Sequence, residues 1–429
     1  MTLSAPAERG LAELIAIAQR DGRLPSIVAA IAQQGQLVWA GSAGDVAGPA
    51  ADTQYRIGSI TKTFTAVLVM QAVRDGLMRL EAPLADYVPE APFGSALLQD
   101  LLSHSAGIAA EPAGPWWERA QGGSFEQLAK ANCEAPSLAE PGEMLLYSNL
   151  AYALLGEAVA RTRGSSWEDL VSTRILQPLG MTRTTVHPAE PHAQGYSVDH
   201  FRGTLTPEPA SDTAAMGPAG QLWSTLTDLA TYSEFVMRGH PEVLEMHWLA
   251  LMSTPHAPGG SYGLGFHLLP TASGLLVGHT GTMPGFMAKL QTNRSTATAA
   301  IVLANGTVGL DPNGLTERML ATAGLREPAQ VQAWAPSVDV PEHAEAMVGA
   351  WYWGERLHLA LWSMGELELR SVTPDDEVET FTYVDGRWVD SLEMPLQVSY
   401  RADGSVEWFC FDTYLFTRSP YEPGTPIPR

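Results

Sequence analysis

Gly58-Ser59-Ile60-Thr61-Lys62-Thr63-Phe64-Thr65-Ala66-Val67-Leu68-Val69-Met70 reads as a tight turn running into a helix. Phe64, Val67, Leu68, Met70, Val73 and Leu77 cover more than one helical face, which predicts a helix over Thr61–Met78 buried on several sides. Ser59 and Lys62 are three residues apart, the spacing that puts two side chains on one face. The chain has three lysines against twenty-two arginines, and one of the three stands here. Arginine keeps its charge in a protein, whereas a buried lysine can release its proton and act as a base. Burial and the positive end of a helix dipole both disfavour an ammonium at this position. Backbone N–H groups at a helix start also point to where an oxyanion on Ser59 would form. Ser59 as nucleophile and Lys62 as its activator is the reading adopted. The competing reading is a capping serine beside a solvated lysine.

Upstream of this stretch, Ile27–Gln33 and Leu37–Gly41 flank Gln34-Gly35-Gln36 and read as a β-hairpin. Downstream, helices are expected at Asn149–Arg161, Trp167–Ile175 and Thr227–Met237. The pattern then returns to strands at Gly274–Gly278, Met287–Thr292 and Ala297–Ala304, followed by a helix at Leu315–Thr322. Short turns join the strands, so the first part of the chain reads as an α+β domain with a mainly antiparallel sheet flanked by helices.

Two further clusters carry chemistry. In Pro141-Gly142-Glu143-Met144-Leu145-Leu146-Tyr147-Ser148-Asn149, Tyr147 and Asn149 are two apart before a helical stretch. An extended or turn segment projects both into one cleft. Tyr147 offers a phenol for proton transfer, and Asn149 offers a donor and an acceptor to an amide. The alternative is a core tyrosine with a helix cap at Ser148 or Asn149. The second cluster, Gly278-His279-Thr280-Gly281-Thr282, ends an apolar strand, and small residues there let a substrate pair with the backbone.

Ser59-x-x-Lys62, Tyr147-x-Asn149 and His279-Thr280-Gly281, in that order, resemble the three motifs of the penicillin-recognising serine hydrolases. That group holds class C β-lactamases, D-alanyl-D-alanine carboxypeptidases, D-aminopeptidases and esterases. Leu101–Ile108, Pro218–Gly220 with Leu222–Thr225, and Tyr262–Phe266 look familial too, so the resemblance spans residues 25–325. It implies Ser59 as the acylated nucleophile, and Lys62 and Tyr147 as the proton-transfer pair. It implies Asn149, His279, Thr280, Gly281 and Thr282 as substrate-binding residues, with the N–H groups of Ser59 and Thr282 as the oxyanion hole. Many members that grip a substrate carboxylate begin the third motif with Lys. His279 stands there instead and is mostly neutral near pH 7. The resemblance with this departure points to small esters or short peptides, D-residues included. β-Lactamase or D-alanyl-D-alanine carboxypeptidase activity is the runner-up, and a non-catalytic binding protein of the same fold is the rival of another class.

Pro328, Pro336 and Pro341 punctuate a stretch with little apolar periodicity, so residues 327–343 read as a linker between domains at 1–326 and 344–429. Beyond it, Asp385-Gly386 and Asp403-Gly404 sit between alternating segments, a strong hairpin signal. Met364-Gly365 marks a further turn. A small antiparallel β-barrel or sandwich is expected, resembling the lipocalin-like accessory domain behind some of these hydrolases. Its Trp351–Trp353 segment is a candidate loop at the active-site mouth, and the tail leaves self-association open. Trp116-Trp117 is a second candidate pocket wall.

The net charge of −22 repels phosphate, so nucleic acid and anionic membrane partners are not expected. Met1–Arg9 carries no basic run ahead of an apolar one, and no apolar run spans a bilayer, so a cytoplasmic location is expected. Cys133 and Cys410 have no disulfide or metal spacing. His187, His192 and His200 lack a His-Glu-x-x-His companion, and no glycine-rich phosphate loop follows a strand. Neither a metal nor a cofactor is expected. Gly259-Gly260-Ser261-Tyr262-Gly263 matches a nucleophile-elbow pattern but lacks the strand before and helix after it.

Overall fold

The computed structural model describes residues 3–199, 201–271, 274–324, 340–363, 365–372, 378–390, 394–411 and 413–421. The chain separates into two units, Met1–Pro328 and Ala329–Arg429.

The first unit opens with helix α1 (Ala5–Gly22), capped by the Ser4 side chain and buried along Ala7, Leu11 and Ile15. Strands β1 (Ser26–Gln33) and β2 (Gln36–Gly44) form the expected hairpin. Helix α2 (Thr61–Arg74) follows a single 3-10 turn, Gly58–Ile60, and Thr61–Ala72 is buried throughout. It stops four residues before the expected Met78. The reason is Asp75-Gly76, where Gly76 takes a φ of 72° that closes the helix end. Helix α3 (Asn149–Arg163) is capped by Ser148, whose side chain accepts from the Ala151 N–H, and ends at left-handed Gly164. The helix expected over Trp167–Ile175 is divided, α-helical to Val171 and a π-turn over Ser172–Leu176. Helix α4 (Leu226–Arg238) lies near its expected position. Strands β3 (His267–Thr271), β4 (Gly274–Met283), β5 (Phe286–Asn293) and β6 (Thr298–Ala304) and helix α5 (Pro312–Ala323) follow, and shorter helices and strands fill the rest of the unit.

One antiparallel sheet runs β2-β1-β6-β5-β4-β3. Strand period two divides the central strands between two cores. Val28, Ala30 and Ala32 of β1, with Ala299, Ile301 and Leu303 of β6, face the core that contains α2, α3 and α4. Ile27, Ala29 and Ile31, with Ala300, Val302 and Ala304, face α1 and α5. A sheet buried on both faces explains why β1 and β6 read as apolar runs without alternation. This positions the site, because β3 pairs with β4 only as far as Gly278, leaving residues 279–283 at the sheet edge.

The second unit is an eight-stranded antiparallel sheet curled into a half-barrel. Its strands are β7 (Gly349–Trp353), β8 (Arg356–Ser363), β9 (Glu366–Ser371), β10 (Val378–Val384), β11 (Arg387–Val389), β12 (Gln397–Tyr400), β13 (Val406–Phe411) and β14 (Tyr414–Thr417). The order is β11-β10-β9-β8-β7-β14-β13-β12. Two of these strands, β7 and β14, are absent from the hairpin pattern read in the sequence. The expected loop at Trp351–Trp353 is therefore a strand. Trp351 is fully buried in this unit's own core, and its indole N–H donates to the Met347 carbonyl at 2.6 Å. The linker expected over 327–343 lies outside the described residues up to 339, as does Met364 of the expected turn.

Candidate active site

Ser59 sits in the turn that feeds α2, and Lys62 occupies the first turn of that helix. The Lys62 side chain is fully buried, with Nζ 2.8 Å from Ser59 Oγ. Nζ also donates to Asn149 Oδ1 at 2.6 Å and to the Ala219 carbonyl at 2.8 Å. Those two oxygens can only accept. Asn149 cannot be turned round, because its Nδ2 donates at 2.7 Å to the Glu111 carboxylate. Two N–H directions of the amine are thus fixed, and the third direction faces Ser59. Burial pushes the Lys62 pKa down from 10.5 to about 7, with Glu111 and then Glu118 pulling in the opposite sense.

Tyr147 precedes the Ser148 cap of α3, and Asn149 opens the helix, so one helix start delivers both side chains. The Lys62 ammonium lies 5.0 Å from the Tyr147 ring centre. Burial raises the Tyr147 pKa well above the ordinary phenol value, and a hydrogen bond with Ser59 offsets only part of that.

The free edge of β4 meets the serine turn through two glycines. Gly58 adopts a φ of 51°, and a Cβ on it would stand 2.5 Å from the Thr282 nitrogen. A Cβ on Gly281 would stand 1.8 Å from the Ile57 carbonyl oxygen and 3.2 Å from the Ser59 nitrogen. Only glycine permits that approach, which brings the third motif against the first. The Thr282 side chain is exposed, and Thr280 is half-buried.

His279 differs from its expected role. Its imidazole is 1% exposed and turned inward, with both nitrogens engaged by the protein. The reason is strand parity, since His279 and Gly281 share the face packed on α2, α3 and α4. His279 belongs to a four-bond chain that fixes its own proton positions. The Ser148 N–H donates to His104 Nδ1 at 3.0 Å, so the His104 proton is on Nε2, which donates to the Tyr262 hydroxyl at 3.2 Å. Tyr262 then donates to His279 Nε2 at 2.8 Å, and His279 Nδ1 donates to the Thr280 carbonyl at 2.5 Å. Every donor meets an acceptor in one direction only. His104 holds a left-handed φ of 60°, a costly conformation for a non-glycine residue that aims its ring into this chain. Burial lowers the pKa of His104 and of His279 well below the ordinary histidine value, and that of nearby His267 to about 4. Three neutral imidazoles therefore surround Tyr147, with ring centres at 4.1 Å (His104), 6.1 Å (His279) and 6.4 Å (His267).

Several residues here were not singled out in the sequence. Glu111 holds Asn149 and also accepts the Trp117 indole N–H at 2.7 Å. Glu118 accepts from Trp116 at 2.7 Å, and burial raises its pKa. Of the two expected pocket walls, Trp117 is a core residue and Trp116 is 61% exposed, lying over Arg119. Tyr262 lies in the Gly-x-Ser-x-Gly stretch and begins the familial-looking Tyr262–Phe266, and His104 lies in the familial-looking Leu101–Ile108. A buried polar ring bonded to another shows no local period, so neither role had a readable signal. Among the described residues no group of three or more His, Cys, Asp or Glu could hold a metal ion. His200, one of the three spaced histidines, lies outside the described residues. No described helix is long and apolar enough to cross a membrane.

A Beta-lactamase family profile matches residues 11–323, and a profile described as Domain of unknown function (DUF7586) matches residues 340–418. The second match lends no support to the expected lipocalin-like resemblance. Beta-lactamase-like protein 2 of Dictyostelium discoideum is 29% identical over 54% of this chain, and the chain spans only 46% of that relative's length. Penicillin-binding protein 4 of Amycolatopsis lactamdurans is 26% identical over 67% of this chain and 81% of its own. The crystal structure of a D-stereospecific amidohydrolase from Streptomyces sp. superposes with a TM-score of 0.62, at 26% identity, over 72% of this chain and 97% of that one. With nearly three quarters of its length matched by one family profile, and with the serine, lysine, tyrosine and glycine contacts assembled around one turn, this chain belongs to the Beta-lactamase family.

Proposed function

We propose that the protein is a serine hydrolase that works through an acyl-enzyme on small esters or short peptides, D-residues included. The observation that carries this reading is the Lys62 amine, sealed from water and held 2.8 Å from Ser59 Oγ. In its neutral form Nζ keeps two N–H bonds, to Asn149 and Ala219, and presents its lone pair to the Ser59 hydroxyl. Ser59 Oγ would attack the substrate carbonyl while Lys62 takes the serine proton. Tyr147 is protonated at neutral pH, as an ordinary phenol is, and burial disfavours its phenolate further. It is therefore suited to donate a proton to the leaving group rather than to act as the first base. The N–H groups of Ser59 and Thr282, brought together by Gly58 and Gly281, would receive the oxyanion. A donor of that kind contributes roughly 3 kcal/mol to transition-state stabilisation. Water would then release the acyl group from Ser59, with Lys62 and Tyr147 again moving the proton.

Glu111 and Glu118 place negative charge near Lys62, which favours substrates with a free amine nearby over those with an anion there. The D-stereospecific relative is consistent with short amides or peptides. β-Lactamase or D-alanyl-D-alanine carboxypeptidase activity is the alternative within the family.

The test is mass spectrometry of the protein after exposure to a fluorophosphonate, with a substrate panel of a p-nitrophenyl ester, a D-alanyl anilide and nitrocefin. A Ser59 adduct, lost in Lys62→Arg, with turnover of the ester or anilide supports the proposal. A folded protein with no adduct on Ser59 refutes it in favour of a binding protein. Preferential turnover of nitrocefin assigns it to the β-lactamases.

A further inference from the structure

His104 is a buried residue that the mechanism above does not use. Its backbone lies in the left-handed region, where glycine is the ordinary residue. A glycine there could supply the carbonyl but not the ring. Both groups are used, and on the same segment. The His104 carbonyl accepts the Leu146 N–H at 2.8 Å, and its Nδ1 accepts the Ser148 N–H at 3.0 Å. Those two donors flank Tyr147 on either side. Residues 145–148 lie in neither helix nor strand, so no regular ladder fixes the tyrosine between them. The His104 ring also packs on the Tyr147 ring, with centres 4.1 Å apart and planes tilted by 37°. One residue therefore grips the backbone on both sides of Tyr147 and contacts its side chain.

The grip is directional. Nδ1 can accept only while the ring proton sits on Nε2. Tyr262 receives that proton's hydrogen bond and passes the chain to His279 of β4. The far end of the brace is thus the strand that carries Thr282. The near end is anchored on α3, where the Tyr152 hydroxyl donates to the Leu102 carbonyl at 2.8 Å, two residues before His104. Filling space beside Tyr147 would need only an apolar side chain, since a buried polar ring is costly unless it is paired. Here its two nitrogens join the tyrosine segment to the strand that faces the serine turn.

We propose that His104 is a positioning residue for Tyr147, fixing its hydroxyl relative to Ser59 for proton delivery to the leaving group. This rests on Ser59 being the nucleophile and Tyr147 the proton donor. The Lys62 amine keeps its own partners, Ser59, Asn149 and Ala219, when the His104 ring is removed. The loss is therefore selective for substrates whose leaving group needs a proton. A misplacement of about 1 Å can cost about 100-fold in rate.

The experiment compares the phenyl ester and the p-nitrophenyl ester of one acid in the full chain. Phenoxide is the poorer leaving group and depends more on a delivered proton. His104→Gly removes the ring without straining the backbone. It should lower kcat/KM for the phenyl ester at least about tenfold, and for the p-nitrophenyl ester by no more than about threefold. Combined with Tyr147→Phe it should be no slower than Tyr147→Phe alone, because both act through one hydroxyl. Asparagine tolerates the same backbone, and its Oδ1 stands where Nδ1 does, so His104→Asn should recover most of the phenyl-ester loss. Equal losses on the two esters, additive losses in the double variant, no recovery in His104→Asn, or wild-type rates in His104→Gly each overturn the proposal. If a thermal melt shows that His104→Gly does not fold, His104→Asn decides. A ratio of the two ester rates within about threefold of wild type supports the assignment, and a larger change overturns it. Wild-type phenyl-ester rates in Tyr147→Phe, or no Ser59 labelling of folded wild-type protein by a fluorophosphonate, are separate results. They remove the reading of the site itself, and this inference with it.

Discussion

The pH dependence of acylation follows from the position of Lys62. Its amine is buried on every side, near two carboxylates that only partly offset the burial, and its pKa falls to about 7. In the proposed mechanism the reactive form is the neutral amine, so the acylation rate should rise with pH and level off. For a pKa of about 7 the neutral fraction is about 9% at pH 6 and about 91% at pH 8, a rise of about tenfold. An ordinary lysine would be only about 0.03% neutral at pH 7, and its rate would climb about tenfold per unit to beyond pH 9. The assay is kcat/KM for a p-nitrophenyl ester from pH 5.5 to 9, paired with the rate of Ser59 labelling by a fluorophosphonate. A plateau above pH 8 in both supports the reasoning. A log-linear rise through pH 9 refutes it, because Lys62 would then remain charged in the folded protein. Glu111→Gln supplies an internal check. Glu111 raises the Lys62 pKa, so its neutralisation should move the midpoint to lower pH by up to about one unit. The same pKa difference sets the sign for stability. Between about 7 and 10.5 the unfolded chain binds this proton and the folded chain does not, so Lys62 makes stability increase with pH across that window.

Gly281→Ala should lower kcat/KM by about 100-fold or more, because a Cβ 1.8 Å from the Ile57 carbonyl oxygen forces β4 away from the serine turn and misplaces an oxyanion donor. Circular dichroism should show the fold retained, and wild-type rates would contradict the contact. Tyr147→Phe should lower the acylation rate by about 10²–10⁴-fold without moving the Lys62 midpoint far, since it removes a proton donor rather than a charge. Stopped-flow acylation with esters of graded leaving groups checks this, the loss shrinking as the leaving group becomes more acidic. Tyr262→Phe leaves His104 Nε2–H and His279 Nε2 without partners in the interior, at about 1–3 kcal/mol for each orphaned group. Thermal melting should show a fall of several degrees.

Much of the first unit is legible along the chain because its signals are local. The Gly35 hairpin, the apolar run of α2 and the Asn149 helix start each follow from turn chemistry or period. The second unit is legible where Asp-Gly turns mark hairpins, and less so at β7 and β14, which have no such marker between them. The candidate catalytic residues Ser59, Lys62, Tyr147 and Asn149 were also visible, because their types and spacings are unusual. Their partners were not. Glu111 meets Asn149 from 38 residues away, and His104 meets Tyr262 from 158 residues away.

The sequence by itself determined that lysine rather than arginine stands beside Ser59, and that glycines stand at 58 and 281. It also determined that the third motif begins with an imidazole. Only the tertiary structure decided what those choices mean. Burial lowers the Lys62 pKa, since its loss of charge depends on surroundings drawn from α2, α3 and the helical turn Gly217–Gly220. Strand parity turns His279 inward and Thr280 outward in the register of β4 against β5. Spacing along the chain fixes which residues are present. Desolvation and cross-strand register exist only after folding, and they decide which of those residues carry charge and where it points.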